Sequence, residues 1–441
     1  MAKKGKTFVI KDNTTVGYSY DSTATKYNDT VTMYGQNNSI NTGKGNDKIY
    51  IFPKKKGAGA DLTGHGGAGK DTIIIYKSTK WCEAHGDAGN DTLTINAGQS
   101  NKAYGGAGAD KITIKGGTSN YAYGDAGNDN IYIQGGSNHY IYGGAGNDKI
   151  FLNKGNYMYV DGEGGTDTIT VNKGNGHRID GGDKKAFIYV YAGKDHEVIG
   201  STGNDVIKVM KNAKTKTTPG SGIKVYGGMG KDTITVSAGK GHTVYGDYSY
   251  DTGNGGHDKI NISSSSTKIF GGKGNDTISI NGGSGNTINS SEGNNTIYIK
   301  GGSGHTVAAY SDSGDTIKVS GGKGNTINMY GTGSVALTGG TSKLMLNPGN
   351  STRFTVSAAN GAAVDKKLYV NGYYSTGYSA SYTFKQSGND LAVCDSTGTT
   401  AYLTAKDFFV AGGAFSNGIT FINSNGNVQP LSVDDVKSAL K

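Results

Sequence analysis

Hydrophobic and polar positions alternate in short bursts, and the bursts recur. Ile112 and Ile114 flank a single outward position, as do Ile131 and Ile133, Ile169 and Val171, Ile234 and Val236, and Ile278 and Ile280. Period two carried by β-branched side chains predicts a short strand with one face turned inward. Each burst follows an aspartate that closes a glycine-rich turn. These aspartates are Asp91, Asp110, Asp129, Asp148 and Asp167, spaced by 19, then Asp205, Asp232, Asp258 and Asp276, with Asp47 and Asp71 ahead of the regular run. A second column gives the same register independently. Ala103, Ala122, Ile141, Val160, Ile179 and Val198 step by 19 and continue at Val225, Val244, Ile269, Ile288 and Val307. Its two irregular steps, 27 and 25, place insertions of eight and six residues in surface loops around residues 211–219 and 248–256.

A second glycine cluster (Gly116 and Gly117, Gly135 and Gly136, Gly282 and Gly283) turns the chain back into a second short strand that carries the single inward residue. Two strands and two turns in 19 residues make one coil of a solenoid, and the glycine density with this period excludes helix. The prediction is an all-β, right-handed parallel β-roll (β-solenoid) of about 14 coils, each rising ~4.8 Å, roughly 65–70 Å long. Residues 1–28 are expected to form an N-terminal strand or cap, residues 29–339 the roll, and residues 340–441 a β-rich C-terminal cap. A solenoid needs such caps, because its last coil exposes unpaired backbone and an apolar cross-section. The tail alternates strongly, and its last eleven residues, LSVDDVKSALK, predict a short amphipathic helix.

Composition narrows the function. Glycine supplies 76 of 441 residues while proline supplies 4, which excludes collagen and proline-rich tethers. With 34% apolar residues and no long aliphatic run, neither a membrane-spanning helix nor a thick-cored enzyme is expected. Lys+Arg exceeds Asp+Glu by 44 to 35, but Arg178 and Arg353 are the only arginines. Nucleic-acid readers lean on arginine forks, so a lysine surface spread along the chain points to solubility or to loose attachment to anionic glycans, not to nucleic acid. The N-terminus has lysines and a short Phe8-Val9-Ile10 patch but no signal-peptide h-region. Cys82 and Cys394 are too few for a disulfide framework and are expected as free thiols.

Stacked coils put the aspartates about 5 Å apart, a repulsion of a few kcal/mol per neighbouring pair at an effective dielectric of ~20. A cation has to sit between them, and lysines are placed too irregularly to fill every gap. Glycine turns let carbonyl oxygens converge, and the carboxylates add hard oxygen donors, which suits calcium better than zinc or copper.

The turns themselves carry a resemblance. GGAGKD (Gly66, Gly67, Gly69, Asp71), GGAGAD (Gly105, Gly106, Gly108, Asp110), GGAGND (Gly143, Gly144, Gly146, Asp148), GGMGKD (ending at Asp232) and GGKGND (Gly271, Gly272, Gly274, Asp276) resemble the GGxGxDxUx calcium-binding repeat of RTX proteins. The resemblance covers about residues 29–330. It implies Ca²⁺ ions between successive coils, held by turn carbonyls and the aspartates. Family members usually carry the turn on both edges. Here the second edge reads Asn101, Asn120, His139, His177, His196, His242, Asn286 and His305, so a single column of ions is expected. That column should thin near residue 183, at Asn295, and at the turn of Gly321, which lacks a carboxylate. The segment from Phe384 to Phe409 is similar to the β-rich region after the repeats of many RTX proteins. This implies an uncleaved C-terminal signal read by a type I secretion exporter, and a secreted, extracellular protein.

The histidine column invites a transition-metal reading, but Asn and His interchange there, and both form side-chain ladders in turns, so a structural role is expected. Tyr104, Tyr123 and Tyr142 predict an outward aromatic stack that stabilises the sheet. No GxSxG, HExxH or carboxylate pair outside the turns is present. Ice binding by a threonine row on the turn edge is disfavoured, because the third turn position reads Ala68, Ala88, Ala107, Ala126 and Ala145, then Lys273. Nearly the whole chain is repeat plus cap. The leading expectation is therefore a non-enzymatic, calcium-dependent structural protein that self-assembles, head-to-tail or laterally, into a surface layer, filament or biofilm matrix. The alternatives are a calcium-stabilised adhesin or glycan-binding module and, behind it, a polysaccharide-modifying enzyme.

Overall fold

A computed structural model describes residues 7–10, 19–20, 26–53, 61–248, 255–310, 314–347, 353–358, 363–371, 383–387, 389–394, 401–406, 408, 419–422 and 428–439. The chain divides into two compact units, Met1–Lys224 and Val225–Lys441. Among the described residues the solenoid has about 16 turns, against the about 14 expected, because parallel pairing extends into both ends of the described chain.

In the first unit every coil adds one strand to each of two parallel ladders. One ladder runs through Thr72–Ile75, Thr92–Ile95, Lys111–Ile114, Asn130–Ile133 and Lys149–Leu152 to Val206–Val209. Its register is the sequence period: Ile112 pairs with Ile131, and Ile131 with Ile150. The other ladder runs through Glu83–His85, Lys102–Ala107, Tyr121–Ala126 and Tyr140–Ala145 to Glu197–Ile199, with Ala103 opposite Ala122 and Ala122 opposite Ile141. Ile112, Ile114, Ile131, Ile133, Ala103, Ala122 and Ile141 have no exposed surface. Burial contributes about 1.5–3 kcal/mol for each large aliphatic side chain. Because the side-chain period is two, a slip of one residue would turn this whole set outward, which fixes the register. The ladder begins early: Thr7–Ile10 already pairs in parallel with Thr30–Gly35. The insertion at residues 211–219 is a surface loop, and the Asn212 side chain accepts hydrogen bonds from the N–H groups of Lys214 and Thr215.

The second unit repeats the pattern from Thr233–Val236 and Thr243–Tyr245 onward. Parallel pairing continues past residue 339, with Leu344 opposite Leu368 and Val335 opposite Val356. The ladder then ends in antiparallel strands, Thr383–Ser387 against Asp390–Cys394 against Ala401–Ala405. Ala401–Ala405, which continues the parallel ladder from Phe354–Ala358, is thereby covered on its other side by an antiparallel strand, which is what a cap has to supply. The predicted terminal helix is Val433–Ala439, and its start is capped by Ser432, whose Oγ accepts the Asp435 N–H while the Asp435 carboxylate accepts the Ser432 N–H.

On the outer surface the expected aromatic column is longer than the three tyrosines. His65, His85, Tyr104, Tyr123 and Tyr142 stack in series with centroids 4.3, 4.5, 4.7 and 5.0 Å apart. Cys82 is a free, buried thiol whose pKa is pushed up to about 11 by burial. The side chain of Cys394, residues 1–6 and residues 249–254 of the second insertion lie outside the described residues.

Candidate metal centre

Each glycine turn brings three features together. Its fourth residue is a glycine at strongly positive φ, +142° at Gly108 and Gly127. A Cβ on Gly127 would overlap the carbonyl oxygen of Gly108, so backbones of neighbouring coils touch at this point and no side chain fits. The fifth residue is often asparagine, and its side chain links coils: Asn90 Oδ1 accepts the Ala109 N–H at 2.8 Å, and Asn128 Oδ1 the Asn147 N–H at 2.7 Å. The sixth is the aspartate.

The predicted aspartates line up in a buried file within each unit, each 0–2% exposed. Each carboxylate does two different things. Its Oδ1 accepts the backbone N–H of the residue one coil earlier: Asp71 accepts from Asp47, Asp91 from Asp71, Asp110 from Asp91, Asp129 from Asp110 and Asp148 from Asp129, at 2.6–2.7 Å. Asp258 accepts from Asp232 and Asp276 from Asp258 in the second unit, both at 2.8 Å. The Oδ2 atoms of Asp47, Asp71, Asp91, Asp110, Asp129, Asp148, Asp167, Asp258 and Asp276 are buried and accept no hydrogen bond. They face a small cradle. A Cβ placed on Gly105 would lie 2.6 Å from Asp110 Oδ2 and 2.5 Å from the Gly124 carbonyl oxygen of the next coil.

An anionic oxygen without a donor, turned toward carbonyl oxygens, is a costly arrangement for a metal-free protein. Burial pushes the carboxyl of Asp71 up to about 6, those of Asp91, Asp129, Asp167, Asp205 and Asp258 up to about 7, and that of Asp276 up to about 8. Hard oxygen donors of this kind, carboxylate plus backbone carbonyl, fit Ca²⁺. The glycines at the first turn position, Gly66, Gly105, Gly143 and Gly271, leave room at the cradle, and each is contacted in this way by its own aspartate's Oδ2.

The interruptions of the file follow the same logic. Near residue 183 the aspartate position is Ala186, whose N–H is still held by Asp205 Oδ1 at 2.6 Å, while the Asp167 N–H turns to the Lys185 carbonyl. At Asn295 the link persists, since its Oδ1 accepts the Asp276 N–H at 2.8 Å. Its Nδ2 then donates to the carbonyls of Ser290, Glu292 and Gly293 at 3.1, 3.2 and 3.3 Å. In an aspartate coil the place of that amide is taken by Oδ2. The carbonyls that receive an amide's protons at Asn295 are thus the turn positions that would receive a cation elsewhere.

The turn of Gly321 is not a gap in this file: it lies on the opposite edge, where Asn325 Oδ1 accepts the His305 N–H at 3.2 Å. The sequence reading also missed Asp315. It is buried, and its Oδ1 accepts the Asn295 N–H at 2.9 Å, one coil further on. Its turn lacks the glycine pair; the available signal was the 20-residue step from Asn295 and the alternation in Asp315–Val319.

The opposite edge is closed by protein groups alone where its bonds are described. Asn120 Oδ1 accepts the Asn101 N–H at 3.0 Å, and ring Nδ1 atoms take over the same role, His139 from Asn120, His177 from Met158 and His196 from His177. The Nε2 of His139 faces the Gly135 carbonyl at 3.2 Å, and that of His196 the Ala192 carbonyl at 3.0 Å. A ring that accepts at Nδ1 and donates at Nε2 is neutral. Burial accordingly pushes His139 down to about 4 and His177 to about 3. These rings have no lone pair to offer a metal, in line with the structural role expected for them.

Among known proteins, the family comparison agrees with this geometry. Residues 23–50 and 135–158 match the family model of the RTX calcium-binding nonapeptide repeat, in four copies. No curated protein matches the chain. A solved structure described as a hyperactive, Ca²⁺-dependent, β-helical antifreeze protein from an Antarctic bacterium is 20% identical, covering 68% of this chain and 85% of its own, with a TM-score of 0.44. By the family model the chain carries RTX calcium-binding nonapeptide repeats at residues 23–50 and 135–158, and within each unit the coils form a parallel β-solenoid with a file of carboxylates.

Proposed function

We propose that the calcium-folded solenoid is itself the product: a secreted structural protein that assembles with copies of itself into a surface layer, filament or matrix outside the cell. The observation that supports this reading best is the file of buried Oδ2 atoms, which runs through coil after coil of both units. A chain built this way is poorly stable where calcium is scarce and stable where it is plentiful. It would pass a type I exporter unfolded and fold outside. The solenoid and its cap account for nearly all of the described chain, so a role for the repeat as scaffold, not as an appendage to a catalyst, is the reading we adopt.

Assembly is supported by aromatic side chains on the outside. Trp81 and Tyr157 are 53% and 62% exposed, and Tyr310 and Tyr330, 50% and 42% exposed, stack on each other at 4.6 Å. Large exposed aromatics are frequent at protein contacts. Electron microscopy of the purified full chain, with calcium and after chelation, tests the proposal. Ordered arrays or filaments that form with calcium and disperse on chelation are expected; monomers under both conditions would overturn the assembly reading and leave the fold untouched.

A second reading, a glycan-binding module, draws on lysines set over aromatic faces, Lys111 over Tyr132 at 5.5 Å and Lys300 over Tyr298 at 5.2 Å. Calcium-loaded monomers retained on an anionic polysaccharide column would favour it over the first.

A further inference from the structure

The aromatic column on the outer surface of the first unit begins with two histidines, and these meet a carboxylate. His65 ends the strand Thr63–His65, and His85 ends Glu83–His85 directly beside it in the ladder. Their rings lie 4.3 Å apart and nearly parallel. Two residues after His85, Asp87 occupies the second turn position, where Gly67 and Gly106 stand in the neighbouring coils. Asp87 Oδ1 is 3.2 Å from His65 Nδ1, and its Oδ2 accepts the Gly67 N–H at 3.0 Å. One ligand atom from each of His65, His85 and Asp87 lies within 4.8 Å of the others, and this is the one such grouping among the described residues.

We propose that His65, His85 and Asp87 bind a divalent transition-metal ion of the zinc type, at a site separate from the calcium file. Two imidazoles and one carboxylate form a borderline donor set, which favours zinc, cobalt or nickel over calcium. All three residues are half-buried, so the fourth position is left to water.

A further group orients the site. Glu83 Oε2 is 3.4 Å from His85 Nε2, and its Oε1 is held by Lys102 Nζ at 2.9 Å. A ligating histidine commonly donates its other N–H to such a carboxylate, which leaves the remaining ring nitrogen as the ligand. His85 thus presents Nδ1. The simpler alternative is an ion pair between His65 and Asp87 inside an aromatic stack. That alternative accounts for His65 and Asp87 but not for a second imidazole carrying its own carboxylate. Because His65 and His85 belong to adjacent coils, an ion here ties two coils together from the outside.

The test uses the full chain saturated with calcium. Zn²⁺ is titrated by calorimetry and Co²⁺ by its visible spectrum. One ion per chain is expected, together with a higher melting temperature. His85→Phe keeps the ring stack but removes the lone pair, and it should abolish binding while the calcium-dependent melting transition stays. Glu83→Gln should weaken binding by about 10-fold or more. His257→Ala, at an exposed histidine outside the cluster whose Nδ1 accepts the Asn275 N–H at 2.8 Å, should leave zinc uptake unchanged. No uptake at millimolar zinc would overturn the proposal. So would equal uptake by His85→Phe, or zinc entering only by displacing calcium with a stoichiometry that follows the aspartates.

Discussion

The backbone N–H of Asp276 is held by Asn295 Oδ1 at 2.8 Å, the distance at which Asp276 itself holds the N–H of Asp258. Asparagine and aspartate are therefore equivalent as links between coils and differ only in what the second side-chain atom needs. The amide donates to three carbonyls; the carboxylate oxygen, in the same place, needs a cation.

That difference can be moved to another coil. Asp129→Asn should keep the link to the Asp110 N–H, raise the melting temperature of the chelated protein, and lower the number of calcium ions bound. Asp129→Ala removes the link as well, leaving a buried N–H unpaired at about 1–3 kcal/mol, and should destabilise the protein with and without calcium. Melting curves and calcium calorimetry on both variants check this; identical behaviour of the two would contradict the division of labour between Oδ1 and Oδ2.

Acid should partly replace calcium. The unfolded aspartates titrate near 3.9, whereas burial pushes Asp91, Asp129 and Asp167 up to about 7 and Asp276 to about 8. Between those values the metal-free folded chain binds protons that the unfolded chain does not, so its stability falls as pH rises through that window. The histidine edge works the other way. His139 and His177 are held by burial down to about 4 and about 3. Below about 6.5 the unfolded chain takes up protons that these rings refuse, and stability falls as pH drops. In chelator the melting temperature should therefore rise as pH is lowered from about 8 to about 6.5 and turn over at lower pH. A steady decline from pH 8 downward would count against a metal-free carboxylate file.

The histidine edge makes its own prediction. His177 Nδ1 holds the Met158 N–H at 3.2 Å, the task that Asn120 Oδ1 performs for Asn101. His177→Asn should be tolerated, while His177→Leu should cost about 1–3 kcal/mol through the orphaned N–H. Chemical denaturation in saturating calcium measures both.

Gly127→Ala should be among the most damaging small substitutions, because its backbone sits at φ +142° with the Gly108 carbonyl where a Cβ would be. A loss above ~3 kcal/mol is expected from this clash and strain. Gly116→Ala, with its nearest neighbour, Asn96 O, 3.9 Å from the added carbon, serves as the control and should leave stability within about 0.5 kcal/mol.

The strands and the coil were legible because Ile112, Ile131 and Ile150 obey two periods at once, two within a strand and 19 between coils. The carboxylate file was legible as a spacing. How each carboxylate is used was not, because a spacing does not say which oxygen meets the neighbouring backbone. Asn295 read as a gap in the file and is a link in it. Asp315 escaped notice because the turn before it has no paired glycines. His65 and His85 were passed over because the column was read from Tyr104 onward, although a histidine precedes the glycine turn in both earlier coils. The continuation of parallel pairing at Leu344 and Leu368 carries no glycine turn closed by an aspartate to announce it, since the Gly339-Gly340 pair leads straight into Thr341–Leu346.

Ala186 puts a methyl group where its neighbours Asp167 and Asp205 put carboxylates. Loading and loss of ions on the two sides of that methyl have no shared member to make them concerted. As external calcium falls, the first unit is expected to give way in blocks, with a seam at one alanine, so that its response to depletion is stepped and not all-or-none.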